Sequence, residues 1–357
     1  MLELSLLICL IALLITILNS FSLITPRIAD QVEEKISVLV PLRDEENNAV
    51  AIIQTLVAQE KLSNIEFIIL NDNSTDKTFE LVTATAHGNS QFKIIQGKPL
   101  PDGWLGKPWA LAQLSEAAQG EILICIDADV RLATTAIAAA VTEMRKHKLD
   151  FFSPYPSQVA RTFSERMIQP LLQWSWLSSV PLAIAKRSSI ASFAVANGQF
   201  FAVKKSALDK CGGYASIKSE VLDDMQMARV LLRNKFKGTV GNGALIAQCH
   251  MYSSWSELRN GYAKSLWKGF GGPFGSFVAI ALLALTGIIP LASAASGSPY
   301  GWFAFEAVIL SRIISARITR ANIFDSLLHP ISAALLIYLI IYSWLMRGRI
   351  QWKGRTV

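Results

Sequence analysis

Residues 4–24 carry no charged side chain and are mostly leucine and isoleucine. As a helix, a stretch of that length crosses the ~30 Å of bilayer hydrocarbon. Lipid allows the backbone little else, because every N–H and C=O must be bonded internally. Two further apolar stretches, 277–295 and 327–346, impose the same restriction on the C-terminal third; only His329 and Pro330 interrupt the second. Between them, 302–318 is apolar but carries Glu306, Arg312 and Arg317. That segment either spans or lies in the interface with its arginines snorkelling. A cleaved signal peptide fits the N-terminus poorly: Glu3 is the only charge ahead of the run, and neither a basic leader nor an A-x-A site is present. A retained anchor is the expectation.

Basic residues flank these stretches. Lys264 and Lys268 precede the second, and Arg347, Arg349, Lys353 and Arg355 follow the last. The positive-inside tendency puts both groups in the cytoplasm. Two complete C-terminal crossings satisfy it and three do not, so the number of crossings stays open. The 357 residues are 52% hydrophobic and 17% charged. The net charge of +7 is accounted for by Lys and Arg gathered at anionic lipid, and no nucleic-acid partner is required. The four cysteines are far apart without a C-x-x-C, which argues for reduced thiols rather than a disulfide or thiolate metal site. The expected organisation is an anchor (1–25), a cytosolic domain (35–270) with an interfacial helix near 166–185, a membrane region (276–346) and a basic cytosolic tail (347–357). For the 166–185 segment, which carries Trp174 and Trp176, a buried helix and a helix on the bilayer surface are both open.

From about Lys35 the pattern changes to short apolar runs alternating with helical spacing. Runs 36–40, 66–70, 92–95 and 121–126 read as strands, and 46–58 and 108–118 as helices, the latter with a proline in its first turn. Such alternation predicts an α/β fold with a mostly parallel, Rossmann-like sheet and helices on both faces. Ligands bind outside the carboxyl ends of such strands. Three strand tips here are polar: Arg43-Asp44-Glu45, Asn71-Asp72, and Asp127 with Asp129. Strand alternation would turn Asp127 and Asp129 to one side of small Ala128. Two carboxylates at a buried strand tip suit Mg²⁺ or Mn²⁺, ions that share their shell with substrate phosphates. A solvated Asp turn is the plainer alternative.

Taken together, four motifs resemble those of the family-2 glycosyltransferases, inverting enzymes of GT-A fold. Val40-Pro-Leu-Arg-Asp-Glu-Glu46 resembles V-P-x-R-N-E-E, with Asp44 in place of Asn; Leu70 to Asp76 resembles V-D-D-G-S-T-D, Asp72 falling on the second aspartate. Asp127-Ala-Asp129 falls on D-x-D, and Val221 to Arg229 resembles the later E-D segment, Asp223 replacing Glu and Asp224 taking the catalytic position. Gly103-Trp-Leu-Gly-Lys-Pro-Trp-Ala110 looks like G-W-x-G-K-x-W-A of enzymes acting on carotenoids and hopanoid-type lipids. His250-Met-Tyr, Gly261-Tyr-Ala-Lys264 and Trp352-Lys-Gly-Arg355 are similar to further segments of that group.

The resemblance implies transfer of one sugar from a nucleotide donor, a UDP-hexose being favoured, to a membrane lipid. Glu45 and Asp72 would meet the base and ribose end of the donor, Asp127 would orient its ribose or sugar, Pro41, Arg43 and Asp223 would also contact the donor, and Asp129 would hold the metal. Lys107, ahead of a helix start, would meet the diphosphate. Lys264 would reach phosphate or serve only as a positive-inside lysine. Asp224 would be the general base, best served by a pKa raised through burial or by Asp223. Capping of the following helix is the structural alternative for both aspartates. No Q-x-x-R-W follows Asp224, which argues against a processive polysaccharide synthase. The lack of an early Gly-rich loop argues against a nucleotidyltransferase. A non-catalytic membrane scaffold would leave the strand-tip acids without a role. The expected location is a bacterial inner membrane, multi-pass, with the catalytic domain on the cytoplasmic face.

Overall fold

A computed structural model describes residues 1–349, 351–352 and 355–356; Lys353 and Gly354 of the tail lie outside the described residues. The chain divides into two compact units, one of residues 24–157 and 184–249, the other of 1–23, 158–183 and 250–357. Segments 158–183 and 250–270, expected within a continuous 35–270 domain, group instead with the apolar helices.

The first unit is built on strands β1 (Ile36–Leu42), β2 (Ile65–Asn71), β3 (Phe92–Gln96), β4 (Ile122–Ile126), β5 (Val130–Leu132), β6 (Phe151–Tyr155), the two-residue β7 (Ser157–Gln158), β8 (Phe200–Lys204), β9 (Gly238–Asn242) and β10 (Ala247–Cys249). Seven of them form one sheet in the order β3-β2-β1-β4-β8-β6-β9. β1, β2, β3 and β4 run parallel, with Ile36 opposite both Ile65 and Ile122. β4 is buried along its whole length, as expected of a strand covered on both faces. β8 is antiparallel to β4, pairing Phe200 with Ile126, and antiparallel to β6, whose other neighbour, β9, runs parallel to it. These registers bring the carboxyl ends of β1, β2, β4 and β6 and the amino end of β8 to one edge. Asn197 to Gln199, just before β8, therefore lie beside Asp127, just after β4.

Helices Gly106–Ala117 and Asp223–Arg233 close one face. Leu111, Leu114, Met227 and Leu231 pack with Leu39, Ile68, Leu123 and Phe201 of the strands. Full burial of each such aliphatic side chain is worth about 1.5–3 kcal/mol, so both helices are held firmly against the sheet.

The second unit is helical. Among the described residues three stretches are long and apolar enough to cross a membrane: Leu2–Ser22, Pro273–Ala295 and Ile323–Leu345. In the first, Ser5, Cys9, Ala12 and Thr16 are buried while Leu7, Leu10, Leu14 and Leu18 are exposed. Small residues inward and leucines outward is the arrangement that lets helices approach closely in lipid. Between the last two stretches, Pro299–Thr319 is one unbroken helix of 21 residues. Its Arg312 does not snorkel: the side chain is packed inside the unit. For Trp174 and Trp176, the buried helix is the one of the two open alternatives that is observed. Both are buried, and the indole N–H of Trp174 donates to Ser311 Oγ at 2.7 Å. The segment forms an internal helix, Phe163–Leu177, that ends where Asn19 Nδ2 donates to the carbonyls of Leu177 and Val180.

Candidate active site

The loops after β1 and β2 are tied to each other. Asp44 and Asn73 adopt left-handed backbone conformations, φ 49 and 54. Asp and Asn tolerate that region best, which gives Asp44 a physical reason to stand where the family motif has Asn. Asp44 Oδ1 accepts from Thr75 N at 2.8 Å, Asp76 Oδ2 accepts from Glu46 N at 3.0 Å, and Arg43 Nη1 donates to the Asp72 carbonyl at 2.8 Å. Asp72 is buried, and Pro41 lies within β1 itself. Glu45 accepts from Asn48 Nδ2 at 2.8 Å, and Asn48 Oδ1 accepts from Arg131 Nη2 at 2.6 Å. Arg131 also donates to the carbonyls of Ala128 and Val130. One arginine thus ties the first loop to the turn that holds Asp127 and Asp129.

That turn replaces the expected strand alternation. β4 ends at Ile126, and Val130 N donates back to the Asp127 carbonyl at 3.2 Å before β5 begins. Asp127 is held by Lys107, whose Nζ lies 2.7 Å from Oδ1 and 3.0 Å from Oδ2. Asp129 is half-buried, and its Oδ1 is enclosed with no hydrogen-bond partner. Burial first, then the neighbouring Asp127 charge, pushes its carboxyl up to about 6. A hard, unpaired carboxylate oxygen that resists charging alone is chemistry suited to a divalent cation. Among the described residues no three His, Cys, Asp or Glu side chains form a metal cage by themselves.

Lys107 sits at the second position of helix Gly106–Ala117, which starts two residues earlier than the proline suggests. Its Nζ is also 3.9 Å from Asp223 Oδ2. Burial opposes the ammonium, but Asp127, Asp223 and Asp224 more than offset this and hold its pKa well above the ordinary lysine value. Gly198 makes the arrangement possible: a Cβ there would stand 2.9 Å from Lys107 Nζ and 3.5 Å from Asp224 Oδ2.

Asp223 and Asp224 open helix Asp223–Arg233, where neither side chain is the N-cap. Asp224 instead accepts from Gly198 N at 2.6 Å through Oδ2 and from Met225 N at 2.7 Å through Oδ1. Burial, then the adjacent Asp223 charge, pushes its carboxyl up to about 7, against the pull of Lys107 and the two backbone donors. A small cavity behind the acid pair is lined by Leu111, Phe201, Tyr214 and Met227.

Lys107, Asp127, Asp129, Asp223 and Asp224 therefore lie on the sheet unit at the carboxyl edge of its parallel strands, along with Glu45 and Asp72. Lys264 belongs to the helical unit, just after helix Trp255–Ala263. Sequence reasoning missed Arg131, Asn197 and Tyr155. Ser153 Oγ anchors the Asn197 backbone at 2.8 Å, and Tyr155, at the end of β6, lies in the field of Asp224 with its phenol pushed up by burial. No motif marks these three; the antiparallel insertion of β8 brings Asn197 and Tyr155 to this edge, whereas Arg131 simply follows the Asp127–Asp129 turn in β5.

Residues 37–212 match the family described as Glycosyl transferase family 2. The sheet unit has a GT-A-like fold. The mannosyltransferase PcManGT from Pyrobaculum calidifontis, solved with GDP-Man and Mn²⁺, superposes with a TM-score of 0.54 at 17% identity, covering 95% of this chain and 99% of that one. Beta-monoglucosyldiacylglycerol synthase of a Nostoc species is 26% identical over 65% of this chain. The chain spans only 50% of that relative's length. 4,4'-Diaponeurosporenoate glycosyltransferase of Staphylococcus aureus is 21% identical over 90% of this chain and 88% of its own.

Proposed function

We propose that this protein transfers a single sugar, with inversion, from a nucleotide-sugar donor to a membrane lipid acceptor. The carrying observation is the knot of Asp127, Asp223 and Asp224 around Lys107 at the carboxyl edge of the sheet, with the unpaired Asp129 oxygen next to it. Pro41, Arg43, Glu45 and Asp72 bind the nucleoside end of the donor. Asp127 and Asp223 orient ribose and sugar. Lys107 and the start of its helix face the diphosphate.

Asp129 would hold a Mg²⁺ or Mn²⁺ ion, which when bound would offset the negative charge that builds on the leaving diphosphate. The Mn²⁺ and GDP-Man of the Pyrobaculum structure support this reading of the donor side. Asp224 takes the proton from the acceptor hydroxyl as that oxygen attacks the anomeric carbon. A carboxyl held near 7 suits the task, since a base works best when its pKa is close to the working pH. The two backbone N–H groups on its oxygens fix its direction. Attack opposite the departing diphosphate inverts the anomeric centre.

The lipid and carotenoid relatives, and the three apolar stretches, support an acceptor that stays in the bilayer. A UDP-hexose donor, a cytoplasmic catalytic face, and two or three C-terminal crossings complete the reading. The test uses the full-length protein in lipid nanodiscs with total membrane lipid and a panel of UDP- and GDP-hexoses. Nucleoside diphosphate release matched by a lipid heavier by one hexose, and lost in Asp224→Asn, supports the proposal. Release of pyrophosphate, or a growing polymer, contradicts it.

A further inference from the structure

Several buried polar groups in the helical unit lack a hydrogen-bond partner, both ends of the Gln169 amide and Ser326 Oγ among them, while others are matched. Trp174 Nε1 donates to Ser311 Oγ, which also bonds Thr16 Oγ1 at 2.8 Å. Two of the unmatched residues meet on Trp174. Arg312 is 3% exposed and His329 is 0% exposed. The Arg312 Cζ stands 6.0 Å from the Trp174 ring, and the His329 ring meets the same indole edge-on at 5.0 Å. Neither His329 nitrogen has a hydrogen-bond partner, nor does Arg312 Nε.

The nearby acid does not resolve the imbalance. Asp325 is the carboxylate whose field reaches Arg312, but both its oxygens are taken by Arg166, through Nη2 and through Nε at 2.9 Å. Arg166 and Asp325 already balance each other, so Arg312 is a surplus positive charge. A desolvated cation without a hydrogen-bonded partner is costly. Its fork of N–H donors fits the paired oxygens of a carboxylate or phosphate. Neutral imidazole beside it adds one more donor.

We propose that Arg312 and His329, backed by Trp174, form an anion-binding site inside the helical unit. It takes the carboxylate or phosphate head of an amphiphile whose chains lie along apolar helices. Leucines and phenylalanines exposed on the same unit, among them Leu14, Leu18, Phe274 and Phe277, provide apolar surface for such chains. The site stands whether or not the sheet unit transfers sugar.

The test is binding to the purified full-length protein in an uncharged detergent, followed by native mass spectrometry and thermal melting. Palmitate and dioleoyl phosphatidate are the probes; methyl palmitate and dioleoylglycerol have the same chains without the charge. The expected result is binding at least about tenfold tighter for a charged probe, with a raised melting temperature, since a hydrogen bond to a charged group is worth about 1.5–3 kcal/mol. Arg312→Met loses the preference. It should fold, because it removes an uncompensated buried charge. If it does not, Arg312→Lys and His329→Phe decide, and loss of the preference in either supports the site. Preference for palmitate identifies a carboxylate amphiphile, and preference for phosphatidate a phospholipid head. No preference in the native protein, or one retained in every variant that folds, overturns the proposal.

Discussion

Replacing Lys107 by methionine removes the cation bonded to Asp127 and leaves Asp127, Asp223 and Asp224 to repel one another. The ammonium stands 2.7 Å from Asp127 and 3.9 Å from Asp223. Unit charges 4 Å apart interact by about 4 kcal/mol at an effective dielectric of 20. About a third of the lysine side chain remains exposed, 34%, so solvent screens much of this. A rise of about one to two pH units in the Asp224 titration, or about 1.4–2.8 kcal/mol, is the reasonable expectation. The sign follows directly. Asp224 acts as a base only when ionised, its carboxyl already sits near 7, and losing a cation raises it further. The acid limb of kcat/KM against pH should move from about 7 to about 8 or above, with activity recovering in alkaline buffer. The assay is nucleoside diphosphate release across the pH range at saturating metal, by native and Lys107→Met protein. If the lysine only touches the diphosphate, donor KM rises and the limb stays where it was. That outcome would refute the coupling between Lys107 and Asp224.

Three further outcomes follow from the same geometry. Asp224→Asn should lower kcat by about 10²- to 10⁴-fold while donor affinity, measured calorimetrically, changes little. Chelation should abolish activity in a way that added Mn²⁺ or Mg²⁺ restores, and Asp129→Asn should weaken Mn²⁺ binding by at least about tenfold in the presence of nucleoside diphosphate. Because burial raises the Asp224 carboxyl above its unfolded value of 3.8 to about 7, its protonation favours the fold below that unfolded value, and this contribution is lost as pH rises through about 7. The melting temperature of Asp224→Asn relative to native protein should therefore be higher at about pH 8 than at about pH 5; a pH-independent difference would show that Asp224 is not buried as described.

Much of the catalytic unit is legible in the sequence because parallel strands leave a strong imprint. Val38 to Val40, Ile68 to Leu70 and Ile122 to Ile126 are buried on both faces, so their sequences are unbroken apolar runs that end where polar residues must begin. Parallel strand direction alone then gathers the acids at those ends along one edge. The partners of Lys107 are less accessible. Its contact with Asp127 spans 20 positions, and its approach to Asp223 is a long-range fact with no local signature. The Asp127–Asp129 turn reads as strand because Val130 and Leu132 continue the apolar pattern beyond it. Trp174 and Arg312 mislead for a related reason. Composition says that tryptophan and arginine favour the headgroup level, but it cannot say that a neighbouring helix offers Ser311 to the indole.

The central claim is that Asp129 carries the ion for a diphosphate lying against Lys107. A crystal or cryo-EM structure of the full-length protein with Mn²⁺ and a nonhydrolysable nucleotide sugar tests it most directly. Manganese is expected within about 2.0–2.3 Å of an Asp129 carboxylate oxygen, with the same ion touching donor phosphate and the anomeric carbon turned toward Asp224. Manganese bound away from Asp129, or a donor lying off the carboxyl edge of the sheet, would contradict it.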